Sequence, residues 1–154
     1  MGSKKMIQDP QQIEAILAKA KFIRLALSDP ETGNPYLIPL SFGYEDNAIY
    51  LHGSASGKKI DIIRKNNKVC FEADIETEVI TSDDPCNYNV RYRSVIGYGR
   101  AQILEGYDEK VEGLTVLSEH YGKEGPFEFE EEKVKRLCVI KIEIERMTGK
   151  EYGF

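Results

Sequence analysis

The spacing of apolar residues along the chain predicts where its strands and helices lie. Apolar residues that alternate with polar ones are typical of half-buried strands, and repeats of three or four residues are typical of amphipathic helices. This pattern predicts helices over 10–20, 57–66 and 108–121, with one more helical turn in 124–136. It predicts strands over 22–28, 36–44, 48–52, 68–75, 92–105 and 137–147.

Residues that favour helix ends mark the boundaries of the predicted helices. Asp9 is predicted as the N-cap of the first helix, with Pro10 as its first helical residue. Ser56 and Asp108 are the predicted N-caps of the second and third helices. Gly122 is predicted to end the third helix, because glycine tolerates the left-handed backbone found after helix C-termini.

The predicted strands follow one another through short turns, and this order favours an antiparallel sheet. Long crossover helices, which a doubly wound α/β sheet needs, do not alternate with the strands. Pro39 removes a backbone donor from its strand, so we expect it at a sheet edge or a bulge. The segment 76–89 loses the alternation and is predicted as a loop. The prediction is a mainly β fold, a small antiparallel barrel of six strands with peripheral helices.

Length and charge limit the classes of protein to which this chain can belong. Its 154 residues suit a single domain over 1–154, in which residues 1–5 are expected to be disordered or partly left over from cloning. A net charge of −5 argues against a nucleic-acid-binding protein. No apolar run approaches the ~20 residues that span a bilayer, and residues 1–10 lack the apolar stretch of a signal peptide. We therefore expect no nucleic-acid and no membrane partner.

The three cysteines, Cys70, Cys86 and Cys138, indicate a reducing environment. Their odd number and their spacing fit neither a disulfide framework nor a zinc motif. Cys70 and Cys138 lie in apolar strand-like runs, so buried free thiols and a cytoplasmic location are expected. Because the chain has two well-separated histidines and no C-x-x-C motif, we predict no metal site.

The stretch YLHGSASGKK, residues 50–59, has the chemical groups of an anion site. A helix that starts near Gly57 offers free backbone N–H groups and the positive end of its dipole. Lys58 and Lys59 add charge, and the glycines allow a ligand to approach the backbone. Neither the Walker A pattern nor the dinucleotide-binding fingerprint is present. On spacing alone, a strand–turn–helix joint with solvated lysines explains the stretch at least as well, so both alternatives stay open.

The two histidines have different predicted roles. His52 ends a strand just before this turn, where it is either a structural residue bonded to the backbone or a ring beside a bound ligand that transfers a proton near neutral pH. His120 lies near the end of a predicted helix and is predicted to be structural. Gly97 and Gly99 lie two apart on one strand, which leaves room for a flat ligand, for strand curvature or for close packing between subunits.

The order of several segments resembles a known family. Similarity to the FMN-binding split-barrel family, which includes pyridoxamine 5′-phosphate oxidase, extends over PYLIPLSFGYEDNAIYLHGSASGKKIDIIRKNNKVCFEADI (35–75), YRSVIGYGRAQIL (92–104) and IKIEIERMTGK (140–150). Within that family the chain most resembles the nitroimidazole-resistance (Nim)-like flavoproteins. The resemblance implies a six-stranded antiparallel split β-barrel that works as a homodimer, with FMN at the dimer interface.

The resemblance also implies which residues bind the FMN. These are Pro39, Leu40, Ser41, Phe42, His52, Gly53, Ser54, Gly57, Lys58, Lys59, Ser94 and Val95. The first four would lie along the isoalloxazine ring and the ribityl chain, and residues 52–54 would flank the cofactor. Residues 57–59 match the segment that holds the FMN phosphate, with Lys59 as the ion-pair partner. Ser94 and Val95 match a strand that approaches the flavin across the cleft, here assigned to the same subunit.

The function implied by the resemblance is that of an FMN-dependent oxidoreductase. Electrons would pass from a reduced nicotinamide or another donor through FMN to a small acceptor such as a nitroaromatic, with His52 as the candidate catalytic residue. The alternatives are a non-catalytic flavin-binding or flavin-storing protein and, less favoured, a relative that binds haem or a deazaflavin. The tail RMTGKEYGF has no clear match to the basic residues with which pyridoxamine 5′-phosphate oxidase binds its substrate phosphate, so vitamin B6 chemistry is not expected.

Overall fold

The computed structural model describes residues 2–154, which contain eight β-strands and four α-helices. The helices are α1 (Pro10–Lys19), α2 (Lys58–Lys65), α3 (Tyr107–His120) and α4 (Glu131–Arg136). The strands are β1 (Lys4–Ile7), β2 (Ile23–Ser28), β3 (Pro35–Leu40), β4 (Gly43–Glu45), β5 (Ala48–Gly53), β6 (Lys68–Ile80), β7 (Asn89–Leu104) and β8 (Cys138–Tyr152).

The strands form one antiparallel sheet in the order β3-β2-β6-β7-β8-β5-β4, and β1 pairs with β8 beside this path. The longest strands lie side by side in this sheet, and β7 pairs with both β6 and β8 along most of its length. The architecture is a split β-barrel with peripheral helices, which confirms the predicted mainly β fold. Pro39 lies on β3 at one end of the strand order, so its missing N–H falls on an edge strand as predicted.

The prediction of six strands is wrong, because the described residues form eight. The predicted strand over 36–44 is interrupted at Ser41 and Phe42, which separates β3 from β4. The other additional strand is β1, which includes Lys4 and Lys5 and pairs with the end of β8. The expected disorder of residues 1–5 is therefore wrong for these two lysines, while Met1 lies outside the described residues.

Two strands continue beyond their predicted ends. Strand β6 extends to Ile80 instead of giving way to a loop at residue 76. An irregularity between Ile75 and Glu78 shifts the register with β7, and Glu76 takes a positive φ of 55° there. Such a bulge inserts extra residues and disrupts the polar–apolar alternation, which explains why the sequence pattern stops there. Strand β8 likewise continues from Met147 to Tyr152, paired with both β1 and β7.

The barrel core is built from the inward side chains of alternating strand positions. On β2, Leu25 is fully buried while its neighbours Arg24 and Ala26 are half-exposed. Burial of a large apolar side chain stabilises the fold by about 1.5–3 kcal/mol relative to its exposure. Other fully buried core residues are Leu17, Ile23, Phe42, Ile49, Leu51, Phe71, Val95, Ile140 and Ile142. A smaller cluster under α3 and α4 comprises Ala48, Tyr50, Leu104, Leu114, Val116, Val134 and Val139.

Gly97 and Gly99 of β7 leave space for other parts of the same chain. A Cβ atom at Gly97 would overlap the ring of Phe71, which fills the barrel interior beside it. A Cβ atom at Gly99 would overlap the carbonyl oxygen of Glu143 on β8. Both glycines therefore serve close packing within the chain, which was not among the predicted alternatives, and neither opens a slot for a flat ligand.

The helix boundaries confirm two of the four predicted end signals. The Asp9 carboxylate accepts a hydrogen bond from Gln11 N at 3.0 Å and caps α1. Gly122 has a φ of +84° immediately after α3, as a helix-ending glycine does. Ser56 and Asp108 are not N-caps, because α2 and α3 begin after Gly57 and Gly106, which carry no capping side chain.

The three cysteines are free thiols. Cys138 is buried as predicted, whereas Cys70 is only half-buried and Cys86 is exposed. Burial raises the pKa of both the Cys138 and the Cys70 thiol, which favours their neutral form. The expected cytoplasmic location stays a prediction.

No helix within residues 2–154 has the length and apolar character needed to traverse a bilayer. In the same part of the chain, no three His, Cys, Asp or Glu side chains are grouped so that they could hold a metal ion.

Candidate functional site

The turn between β5 and α2, residues 53–57, is the centre of the candidate site. Strand β5 ends at Gly53, which pairs with Cys138 at the start of β8. The chain then reverses, and α2 begins at Lys58. Gly57 has a φ of +133°, and a Cβ atom there would meet nothing within 4 Å. The backbone at this position therefore requires glycine for its conformation and faces open space, where a ligand can approach it.

The first turn of α2 has no side-chain cap. The amides at a helix start have no intrahelical partner, and the helix dipole makes this end positive. The exposed hydroxyl of Ser56 does not take the N-cap position that the sequence predicted. The N-terminus of α2 is therefore left with free donors and a positive field, which favour an anion.

Lys59 extends over this turn. Its Nζ atom lies 3.1 Å from the position of a Cβ atom built on Gly53, so the ammonium group rests against the turn backbone. No ion pair within residues 2–154 involves Lys59 or Lys58. The Lys58 ammonium lies 4.8 Å from the ring centroid of Tyr36 on β3, in a cation–π contact. The two lysines thus flank the turn without a carboxylate to neutralise them.

His52 lies half-buried at the end of β5, directly before the turn. Burial lowers the pKa of its imidazole below the ordinary value of 6.5, and the charge of Lys59 lowers it further. The ring is therefore neutral near pH 7, with one nitrogen that donates and one that accepts. An anion bound beside Lys59 would offset that charge and raise the pKa of His52 again.

The predicted flavin-binding residues 39–42 differ in how far their side chains are exposed. Pro39 and Ser41 are exposed, and Leu40 is half-buried. The Phe42 side chain is fully buried, with its ring centroid 4.3 Å from that of His120. Phe42 can therefore offer a ligand only its backbone atoms.

Two residues at the C-terminal end of α3, His120 and Tyr121, hold the corner between β3 and β4 in place. The hydroxyl of Tyr121 accepts a hydrogen bond from Phe42 N at 3.1 Å and donates one to Lys21 O at 2.6 Å. His120 Nε2 lies 2.8 Å from Ala20 O. These contacts join the corner between β3 and β4 to the end of α1, and they give His120 the structural role predicted from the sequence.

Ser94 and Val95 do not join the turn over 53–57 within one chain. Gly53 pairs with Cys138 at the start of β8, whereas Ser94 pairs with Lys150 near its end. Cys138 and Lys150 are twelve positions apart, which corresponds to roughly 40 Å along an extended strand. The Val95 side chain is also fully buried in the barrel. The register therefore separates Ser94 from the turn along β8, and the assignment of Ser94 and Val95 to the flavin cleft stays a prediction.

Comparison with known proteins identifies the family of this chain. The family model described as pyridoxamine 5′-phosphate oxidase matches residues 9–151, which is most of the chain. The chain belongs to this family. No curated protein is significantly similar to it in sequence.

Solved structures support the family assignment. A Bacteroides thetaiotaomicron protein assigned to 5-nitroimidazole antibiotic resistance is 31% identical, with a TM-score of 0.86 over 99% of this chain and 90% of that one. An FAD- and haem-binding protein from Mycobacterium smegmatis shares the fold at 16% identity, with a TM-score of 0.81 over 97% and 74% of the two chains. An FAD-binding protein from Mesorhizobium loti does so at 23% identity, with a TM-score of 0.67 over 98% of both chains.

This pyridoxamine 5′-phosphate oxidase family member also carries an exposed face that the sequence reasoning did not single out. Arg24 on β2 forms ion pairs with Glu72 at 2.7 Å and Asp74 at 2.6 Å on β6. Burial raises the pKa of Glu72, while the hydrogen bonds that Arg24 donates to both carboxylates raise the pKa of Arg24. The polar positions of the alternating pattern were the signal that could have placed these residues on one face.

Apolar side chains share this face with the charged cluster. Register places Leu37, Ala26, Cys70 and Tyr98 in one row across β3, β2, β6 and β7. Leu37 is 64% exposed, Tyr98 42%, and Ile96 of the adjacent row 42%. We call Leu37, Ile96 and Tyr98 the apolar outer patch. Side chains of this size are seldom exposed together unless another surface covers them.

Proposed function

We propose that this protein is a flavin-dependent oxidoreductase that holds FMN through its 5′-phosphate at the turn over 53–57. The single observation that carries the proposal is the ammonium of Lys59, which lies against the backbone of Gly53 with no carboxylate partner in residues 2–154. The uncapped start of α2 adds free amide donors beside it. Family membership adds to this reading, because it is the reason to place a phosphorylated cofactor at this turn.

The residues present fit a phosphate dianion. A phosphate group accepts several hydrogen bonds and is stabilised by positive charge, and this turn offers amides, hydroxyls and ammonium groups. Gly53 and Gly57 keep the backbone accessible, while the exposed Ser54 provides a hydroxyl. Lys58 and Lys59 provide two positive charges on the same turn of α2.

The flavin ring requires a surface beyond the phosphate turn. Pro39 and Ser41 present exposed atoms at the end of the edge strand β3, where a flat ring could lie against them. We propose that a second copy of the chain closes this site by covering the apolar outer patch. The protein would then act as a homodimer, and Ser94 of the partner subunit would be the residue that approaches the ring.

His52 is the proposed catalytic residue. A bound flavin supplies two-electron transfer between a reduced donor and an oxidised acceptor. Reduction of a small acceptor such as a nitroaromatic also consumes protons, and a half-buried imidazole can deliver one near neutral pH. The name of the 31% identical Bacteroides protein supports nitroimidazoles as the first acceptors to test.

The visible spectrum of the purified protein tests the cofactor first. Bands near ~370 and ~450 nm would show an oxidised flavin, and a Soret band near ~400 nm would show haem instead. Anaerobic reduction with NADH or NADPH, followed by addition of a nitroimidazole, then tests the activity. Reoxidation by the nitroimidazole supports the oxidoreductase. Reoxidation by oxygen alone would contradict it and would favour a protein that only binds or stores flavin.

A further inference from the structure

A cleft of about 380 Å³ lies between the C-terminal end of α1 and the irregular part of β6, and we call it the α1–β6 cleft. Its volume is within the range of ~300–1,000 Å³ that is typical of small-molecule sites. It shares no residue with the turn over 53–57. The side chains that give it its chemistry are Lys19, Lys21, Phe22, Arg24, Asp74 and Glu76.

The α1–β6 cleft opens beside the corner between β3 and β4, where the flavin ring is proposed to lie. The hydroxyl of Tyr121 bonds both to Lys21 O and to Phe42 N, so the backbone at Lys21 runs alongside this corner. The next residue, Phe22, lies opposite Ser41 when the antiparallel register of β2 and β3 is continued by one position. A molecule in the cleft can therefore reach a ring that lies against Ser41.

The charged groups of the cleft divide into paired and unpaired ones. Its two carboxylates, those of Asp74 and Glu76, are both paired with arginines of neighbouring strands. Lys19 and Lys21 are exposed, and neither enters an ion pair with another residue of the described chain, 2–154. The uncommitted charge in the cleft is therefore positive, which favours a ligand with an anionic group.

Phe22 gives the cleft an aromatic surface. The Arg24 guanidinium lies 4.9 Å from the centroid of the Phe22 ring, in a cation–π contact. Phe22 is nevertheless 41% exposed, so it also offers ring surface to a planar ligand. The half-buried Ile75 adds apolar surface to the lining. Aromatic surface beside two free ammonium groups suits a small aromatic anion.

We propose that the α1–β6 cleft binds the electron acceptor and that it selects a planar aromatic acceptor with a carboxylate group. Lys19 and Lys21 bind the carboxylate, and Phe22 contacts the ring. The inference rests on the proposed function, because it takes the flavin ring to lie at Ser41. For a nitroaromatic acid, a hydride equivalent from the reduced nicotinamide, by way of the flavin, and one further proton convert the nitro group into a nitroso group and one water.

Binding of benzoate, which has no nitro group to reduce, tests the cleft separately from the reaction. Isothermal titration calorimetry is carried out on the oxidised, FMN-loaded protein. We expect the wild type to bind benzoate and Lys19→Gln/Lys21→Gln to bind it about tenfold more weakly, because each exposed charged contact contributes up to about fivefold. Lys65→Gln/Lys135→Gln, which removes two lysines already paired with glutamates, is the charge-matched control and should bind benzoate as the wild type does.

Turnover of two nitroaromatics adds a second readout. 4-Nitrobenzoate and its methyl ester both carry a nitro group on the ring, but only the acid carries a negative charge. The ratio of kcat/KM for the acid to kcat/KM for the ester should be about tenfold lower in Lys19→Gln/Lys21→Gln than in the wild type, mainly through a higher KM for the acid. The same ratio should not change in Lys65→Gln/Lys135→Gln.

The outcomes separate this inference from the proposed function. If benzoate binds equally to the wild type and to Lys19→Gln/Lys21→Gln, or to neither, the inference is overturned, and reduction of the ester leaves the proposed function intact. If benzoate binding depends on the two lysines but the ratio of kcat/KM values does not, the cleft binds an anion that is not the acceptor, and the inference is wrong. If wild-type protein that is folded by circular dichroism binds no flavin, the proposed function and this inference fall together.

Discussion

The backbone N–H of Phe42 donates a hydrogen bond to the hydroxyl of Tyr121 at 3.1 Å, across 79 positions of sequence. The same hydroxyl donates to Lys21 O at 2.6 Å. One side chain therefore satisfies two backbone groups at the corner where β3 ends and β4 begins. Since the exposed Ser41 lies at this corner, Tyr121 helps to set the surface that we assign to the flavin ring.

Tyr121→Phe is expected to destabilise the fold by about 1–2 kcal/mol, because the Phe42 amide loses its partner while remaining partly buried. The free energy of unfolding from urea titration measures this effect. Tyr107→Phe, an exposed tyrosine on the first turn of α3, is the matched control and should change stability little. Equal stability of Tyr121→Phe and wild type would show that the hydroxyl does not hold the corner.

Gly97→Ala is expected to destabilise the barrel by about 1–3 kcal/mol, because the new methyl group would overlap the buried ring of Phe71. Thermal and urea unfolding measure the loss. Phe71→Leu costs stability by itself, so the informative quantity is the coupling energy of the double mutant. That coupling should be favourable, since the shorter side chain makes room for the methyl group. Additive effects would mean that the two positions do not compete for the same space.

The lowered pKa of His52 predicts a pH dependence of stability with a definite sign. The unfolded chain takes up a proton near the ordinary value of 6.5, whereas the folded chain takes it up only at lower pH. The free energy of unfolding should therefore fall as the pH is lowered through 6.5 toward the pKa of the folded state, and the loss is complete below that pKa. His52→Gln should remove this component, which a series of urea titrations between pH 5 and pH 8 can measure.

Lys59 contributes the smaller of the two causes of this pKa shift, after burial. Lys59→Gln should accordingly raise the pKa of His52 only part of the way toward 6.5, as read from the imidazole resonances by NMR. If His52 has the same pKa in the wild type and in Lys59→Gln, the Lys59 ammonium group lies too far from the imidazole ring to affect it. Binding of FMN to the wild type should move the pKa upward as well, because the phosphate offsets the same charge.

Ile96→Asp is expected to convert a homodimer into monomers, because it places a charge in the apolar outer patch. Sedimentation velocity measures the state of the apoprotein. Tyr107→Asp, which charges an exposed aromatic position on α3, is the control and should leave the dimer intact. A wild type that sediments as a monomer with flavin bound would contradict the proposed interface.

The elements with regular alternation could be predicted from the sequence, and those fixed by distant contacts could not. The inward positions of β2, β6 and β7 follow the period of two, so the barrel core around Leu25 and Phe71 was accessible to pattern reasoning. The break at Ser41 depends on a tyrosine far along the chain, and β1 depends on its pairing with the last residues of β8. The order of polar and apolar residues near Ser41 and in β1 indicates neither of these distant partners.

The residues of the candidate site also divide into those that the sequence brings together and those that it does not. The local run from His52 to Lys59 stays together in space because a strand end, a turn and a helix start are neighbours in sequence. Ser94 is two strands away from β5 in the sheet and pairs with Lys150 near the end of β8, a separation from the turn that sequence order does not show.

We propose above that the turn beside Lys59 binds the 5′-phosphate of a flavin. The most direct test compares the dissociation constants of FMN and riboflavin, which differ only in that phosphate, for the apo wild type and Lys59→Gln. Lys65→Gln, at the far end of α2 and paired with Glu31, is the matched control. We expect much tighter binding of FMN than of riboflavin by the wild type and by Lys65→Gln. Lys59→Gln should weaken FMN binding by roughly 10- to 150-fold, equivalent to about 1.5–3 kcal/mol, and leave riboflavin binding unchanged. Equal binding of FMN and riboflavin by the wild type, or full retention of FMN by Lys59→Gln, would contradict a phosphate site at this turn.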